Sequence, residues 1–527
     1  MAASPEGKPP RPHHGVVVIT LPDGHGGWPS STSSSPSPAR EAAVALLERA
    51  GAAGDAGGAE RAVEERPRTA SASPRRAAGA VLALVALAVA GYLCLHAEAG
   101  AAWRLLAARG HGGGASFLLP LYPKARAGGG ESAARNSTAA APQLRGNAFP
   151  DRQYYTSISI GNPPKPYFLD VDTGSDLTWI QCDAPCANCA KGPHPLYKPA
   201  QGNIIHPSDS PCQEIRGNQK PSDTSKQCDY EIAYADRSSS MGVLATDNMQ
   251  LITEDGEREN LDIAFGCAYD QQGELLNSLA STDGILGLKS AAISLPAQLA
   301  SQGIISNVFG HCMTTDPSGG GYMFLGDDYI PRWGATWVPI RNGPDNIYSA
   351  EAEEVNHGDQ QLRKLTRVIF DSGSTYTYFP REAYINLIAA LKDVSPRFVQ
   401  DHSDKTLPFC MKADFTVRSV DDVKQFFMPL SLQFKKRLFV FPRTFTLHPE
   451  DYLIINDKGN VCLGVLDGSE IGYGSAIVLG DVSLRGKLVA YDNDENQIGW
   501  VQSDCTNPRK QSGFPLFLRR ALSNQFL

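Results

Sequence analysis

Two segments repeat one pattern of side chains that could do chemistry, and each follows an apolar run with the texture of a strand. FLDVDTGSDLTWI (168–180) and VIFDSGSTYTYF (368–379) both pass from apolar residues into Asp, then Thr or Ser, Gly and Ser, with aromatics behind. Well downstream of each lies a second signal, apolar residues ending in Gly: DGILGL at 283–288 and AIVLGD at 476–481. Leu286 follows Asp172 at nearly the same distance as Leu479 follows Asp371. A repeat this long implies two homologous lobes, since solenoids repeat every ~20–50 residues. A single Asp-Thr-Gly reads equally well as an Asx-type turn after a strand. Two copies, each with its matching partner, are not explained by turn chemistry.

The residue types fit paired-carboxylate chemistry. Gly174 and Gly373 permit a tight turn that offers the preceding Asp to a cleft. The hydroxyl of Thr173 or Ser372 can tie the two loops together, and Ser175 and Ser374 can hydrogen-bond the carboxylates from outside. Asp172 and Asp371, once within hydrogen-bonding distance, cannot both ionise and so share a proton over a wide pH range. One then takes a proton from a trapped water while the other protonates a carbonyl. The diol that results collapses with no covalent intermediate, and no metal or organic cofactor is needed.

The elements that must hold these loops read as mainly β. YTSISIG, from Tyr154, alternates polar and apolar residues, Pro163-Pro164 interrupts it, and YFLDVDTGS reads as a strand running into a turn. Short strands separated by Gly, Asn, Asp and Pro continue to Cys505, with helical stretches clearest at 294–303 and 381–394. Fifty glycines and 37 prolines suit such a body plus an unstructured segment.

From about residue 150 to 505 the chain resembles the pepsin-type aspartic proteases, and more narrowly their plant nucellin-like branch. The resemblance is carried by YFLDVDTGSDLTWIQCDAPCANC (167–189), LYKP (196–199), CDYEIAYADRSSSMGVLATD (228–247) and FDSGSTYTYF (370–379). It implies a bilobal pepsin-like fold, two β-rich lobes facing across a peptide-binding cleft, and a hairpin flap over it. It also implies an aspartic endopeptidase acting on peptide or protein substrates at acidic pH. By position, Asp172 and Asp371 match the catalytic pair, Tyr234 the flap tyrosine, and Trp179 the tryptophan it meets. A Cys410–Cys462 disulfide is similarly implied. Three places depart from the family pattern: the flap reads YADRS where many relatives have glycines, DGILGL is followed by Lys289-Ser290-Ala291, and Ser372 replaces Thr. None removes a catalytic group. The competing reading is a catalytically inactive binding or inhibitor protein of the same fold. The retained aspartates, glycines and flap tyrosine favour the enzyme.

Of eleven cysteines, ten fall between Cys182 and Cys505, which implies five disulfides and an oxidising compartment. Cys182, Cys186 and Cys189 resemble a zinc knuckle, but no second knuckle with histidines follows. His311 reads as a core or near-surface histidine rather than a ligand. A net charge of −8 argues against a nucleic-acid partner.

Residues 1–76, rich in Ala, Gly, Pro and Ser, read as a disordered cytosolic leader. The run 77–96 reads as a single-pass signal anchor, because its uncharged stretch 77–95 spans ~28 Å as a helix, close to the ~30 Å hydrocarbon core. Arg66, Arg68, Arg75 and Arg76 precede it, favouring a cytosolic N-terminus. It begins too late for a cleavable signal peptide. A buried Ala-rich helix, or a late signal sequence on a secreted enzyme, is the alternative. Asn136-Ser137-Thr138 is an N-glycosylation sequon just beyond. The expectation is a monomeric type II membrane protein of the secretory pathway, its body lumenal or extracellular. Residues 97–147 read as stem or pro-segment, 148–335 and 336–505 as the two lobes, and 506–527 as a tail that docks, touches a membrane or is solvated.

Overall fold

Alternation of polar and apolar residues becomes alternation of faces in a sheet. In the strand Tyr154–Ile160, every second side chain from Tyr154 onward is buried. The next strand, Lys165–Asp172, is buried at its last four positions, where it runs between Tyr154–Ile160 and Gly284–Gly287. The computed structural model describes residues 18–19, 115–124 and 153–510, apart from short internal segments. The chain divides into Met1–Gly24 with Gly114–Leu527, and His25–Gly113; the latter lies outside the described residues. So do the candidate anchor 77–96, the Asn136 sequon and the tail from 511. Among the described residues, no helix is long and apolar enough to cross a membrane.

The architecture is bilobal and mainly β. The two repeated motifs form the same knot of strands. In the first, Lys165–Asp172 pairs in parallel with Gly284–Gly287, which also pairs antiparallel with Trp179–Gln181. In the second, Gln360–Phe370 pairs in parallel with Ile477–Leu479, which meets Tyr378 of Thr377–Phe379 in antiparallel register. The downstream apolar-Gly signal is therefore the strand slotted between the two arms of each active-site loop. The lobes share a sheet at their base: Val308–Met313 from the first half lies antiparallel to Lys487–Asp492 from the second.

Both helices expected near 294–303 and 381–394 form, as Leu295–Ser301 and Arg381–Lys392. The longer one starts directly after Pro380 and buries Ala383, Leu387 and Leu391, one stripe at four-residue spacing.

Two segments differ from the sequence reading. Phe117–Pro123, within the stretch read as stem or pro-segment, is a strand inserted between Tyr154–Ile160 and Gly321–Leu325. Phe117, Leu119 and Leu121 face the core while Pro120 faces out, so the proline sits where the alternation exposes it. Val18–Ile19, within the leader read as disordered, pairs in parallel with Glu231–Ile232. Among the described residues, this pair forms the edge of the sheet beside Asp229–Ala233.

All ten cysteines of the body are paired: Cys182–Cys267, Cys186–Cys189, Cys212–Cys228, Cys312–Cys505 and Cys410–Cys462. The three sulfurs of the apparent zinc knuckle are thus bonded to other sulfurs. Cys410 and Cys462 face each other directly in neighbouring antiparallel strands, the pairing that the family resemblance implied.

Candidate active site

Each aspartate sits where its strand runs out into a glycine turn, and the two turns meet head to head. Gly174 N–H donates to Asp172 Oδ1 at 2.8 Å, and Gly373 N–H donates to Asp371 Oδ1 at 3.0 Å. The glycines are needed for close approach. A Cβ on Gly174 would stand 2.6 Å from Asp371 Oδ1, and one on Gly373 would collide with the Asp172 carboxylate.

The hydroxyls next to the aspartates lock the turns reciprocally. Ser372 N–H donates to Thr173 Oγ1 at 3.0 Å, and Thr173 N–H donates to Ser372 Oγ at 3.2 Å. Each hydroxyl then donates onward, Thr173 to Phe370 O at 3.0 Å and Ser372 to Val171 O at 2.8 Å. Serine serves as well as threonine because only the hydroxyl is used. The outer serines differ between copies. Ser374 Oγ donates to Asp371 Oδ2 at 2.8 Å. Ser175 lies against the Asp172 carboxyl and favours its charged form, yet among the described residues its buried hydroxyl makes no well-aligned hydrogen bond.

Both carboxyls are buried, 7% exposed each. Burial raises the pKa of Asp172, and the neighbouring charge of Asp371 raises it further. Burial likewise raises Asp371, while hydrogen bonds from Ser374, the Gly373 backbone and Asp172 pull it back. Two acidic groups that touch, one raised by the other's charge, hold one proton between them.

The hairpin of Asp229–Ala233 and Ser239–Ile252 brings Tyr234 to Trp179. Trp179 Nε1–H donates to Tyr234 Oη at 2.8 Å, so the two residues matched by family position do meet. Burial, then the charge of Asp172, raises the Tyr234 phenol well above its ordinary value.

Several residues around the site carry no signal in the repeat itself. Lys124 Nζ reaches Asp170 Oδ2 at 2.7 Å and Thr282 Oγ1 reaches the same oxygen at 3.1 Å, both buried behind the Asp172 strand. Nothing in the sequence near Lys124 announces this. Asp481 could have been found, since it ends AIVLGD. Both of its buried carboxylate oxygens lack a hydrogen bond among the described residues. Burial, then the charge of Asp371, raises it well above the usual carboxylate range. His311 is a core histidine, 1% exposed, with Nε2 3.1 Å from Tyr491 Oη.

Comparison with known proteins agrees with this geometry. Family models described as xylanase inhibitor N-terminal and C-terminal match residues 154–327 and 352–502. An aspartic proteinase of Oryza sativa subsp. japonica is 38% identical over 71% of this chain and 94% of its own. Aspartic proteinase 39 of Arabidopsis thaliana is 29% identical over 68% of this chain and 75% of its own. Basic 7S globulin from soybean superposes with a TM-score of 0.57 at 16% identity, over 76% of this chain and all of its own, a likeness of fold alone. With two lobes, a duplicated glycine turn and a rice relative this similar, the chain belongs to the pepsin-type plant aspartic protease family.

Proposed function

We propose that the chain is an aspartic endopeptidase that hydrolyses peptide bonds with a water activated between Asp172 and Asp371. The observation that carries this reading is the closeness of the two buried carboxyls, each held by its own glycine turn and raised by its surroundings. The unprotonated oxygen accepts a proton from the attacking water, and the protonated partner donates to the scissile carbonyl. The Thr173–Ser372 lock keeps the oxygens in register, so little reorganisation is needed as charge moves. Tyr234 and its Trp179 partner form the roof that limits access of bulk water.

Peptide cleavage at acidic pH by wild type, Asp172→Asn and Asp371→Asn tests the reading. Wild type should cleave and be blocked by pepstatin, and each variant should lose about a thousandfold or more in kcat/KM. Equal signals from all three would leave only a binding or inhibitor role, the activity named in the family models.

We also propose that residues 77–96 anchor the body to a membrane of the secretory pathway, with the N-terminus cytosolic. Support comes from the uncharged run 77–95, the arginines before it, and five disulfides beyond it. Carbonate extraction should leave the full chain in the membrane pellet, and release into the supernatant would refute the anchor.

A further inference from the structure

The flap carries a charge that bond cleavage does not require. Its tip, Tyr234-Ala235-Asp236-Arg237-Ser238, joins the strands Asp229–Ala233 and Ser239–Ile252. Tyr234 N–H donates to Ser238 O at 2.9 Å, and Arg237 N–H to Tyr234 O at 3.0 Å, closing the turn. Asp236 is consumed within it: Oδ1 accepts from Ser238 N–H at 2.9 Å and from Ser238 Oγ–H at 2.6 Å. Arg237 follows at φ 69°, in the left-handed region where Gly or Asn sits with less strain. It is exposed and makes no ion pair among the described residues.

The start of the tip is tied to the strand that follows the Asp172 turn. Tyr234, at its start, is held by Trp179 and feels the charge of Asp172. Asp236, at its middle, acts on the phenol of Tyr378 in the opposite lobe, which also feels Asp371. Arg237 is therefore an exposed cation at the tip of this hairpin, next to Asp236, and the charges acting on these two tyrosines, those of Asp172, Asp176, Asp236 and Asp371, are all acidic. A strained backbone that retains a long cationic side chain at such a place points to use of the charge.

We propose that Arg237 selects substrates bearing a carboxylate side chain within a few residues of the scissile bond, pairing with it as the flap closes over the peptide. This rests on the endopeptidase reading and adds a substrate class to it. A guanidinium suits the role because its forked N–H groups can engage both carboxylate oxygens.

The test uses peptides that differ only by Glu, Gln or Lys at each of the three positions on either side of the cut. They are assayed at about pH 5.5 and low salt, where a substrate Glu (pKa ~4.3) is mostly ionised. The readout is the ratio of kcat/KM values within one enzyme, so a general loss of activity cancels. Wild type should prefer Glu over Gln at one or more positions by roughly fivefold, the scale of a half-exposed ion pair. The preference should shrink with added salt and as pH falls below about 4. Arg237→Asn, which accepts the left-handed backbone without the charge, should bring the ratio to about one, and Arg237→Glu should turn it toward Lys. The same Glu-to-Gln ratio in wild type and Arg237→Asn would overturn the proposal, as would a wild type with no preference. A wild type that cleaves none of the peptides would overturn the endopeptidase reading and this inference with it.

Discussion

At the residue scale, the two aspartates have near-identical local geometry but unequal support. Among the described residues, Ser374 gives Asp371 a well-aligned hydroxyl hydrogen bond that Ser175 does not give Asp172, and that bond favours the ionised form. Ser374→Ala should therefore raise Asp371 further and move the acidic limb of the kcat/KM–pH profile upward. A loss of roughly tenfold at the acidic optimum is expected, the worth of one charge-assisted bond. Ser175→Ala should do much less, because the Ser175 hydroxyl is poorly aligned with Asp172. A pH profile for each variant separates them, and equal shifts would mean that the two serines act alike. Both serines were legible as hydroxyls beside the carboxylates. Their inequality was not, because alignment is set by backbone angles that the repeated letters do not encode.

At the element scale, the strand Phe117–Pro123 ends on a buried ion pair. Lys124 is 6% exposed and its partner Asp170 likewise 6%, directly behind the strand that carries Asp172. Burial raises Asp170 while Lys124 and Thr282 oppose the shift. Removing one member leaves an uncompensated buried charge, so Lys124→Met should cost about 3–5 kcal/mol in chemical denaturation. Lys124→Met with Asp170→Asn should recover most of it, since no unpaired charge then remains. A double variant as unstable as the single one would show that packing, not charge, sets the cost. The sequence hid this strand for a physical reason: Pro120 and Pro123 lack the N–H of a ladder and argue against one. Pro120 is tolerated because its register places it opposite Tyr322 with its ring exposed.

At the scale of the whole molecule, the shared sheet beneath the lobes buries a histidine. His311 lies in Val308–Met313, the strand that joins the halves, and burial lowers its pKa to about 3. An unfolded chain protonates this imidazole near pH 6.5, whereas the folded one keeps it neutral until about pH 3. Stability is therefore lost as pH falls from about 6.5 toward 3, by on the order of 5 kcal/mol at most. Asp481 works in the opposite direction. Its pKa is raised, so its burial is tolerated below the usual carboxylate pKa and costs stability as pH rises above it. His311→Gln should flatten the acid side of a Tm–pH curve, and Asp481→Asn should raise Tm more at pH 7 than at pH 3. Parallel curves for wild type and both variants would refute this account.

Sequence alone determined what depends on local order. Strand alternation, the paired glycine turns, the matched apolar-Gly segments and the identity of the two aspartates all follow from residues adjacent in the chain, where sterics and side-chain period act directly. Only the tertiary structure decided which distant groups share a buried space. Asp170 with Lys124, Asp481 within reach of the charges of Asp371 and Asp172, and His311 against Tyr491 are all long-range meetings. Burial makes those meetings consequential, because a charge loses its water only once the lobes have closed around it.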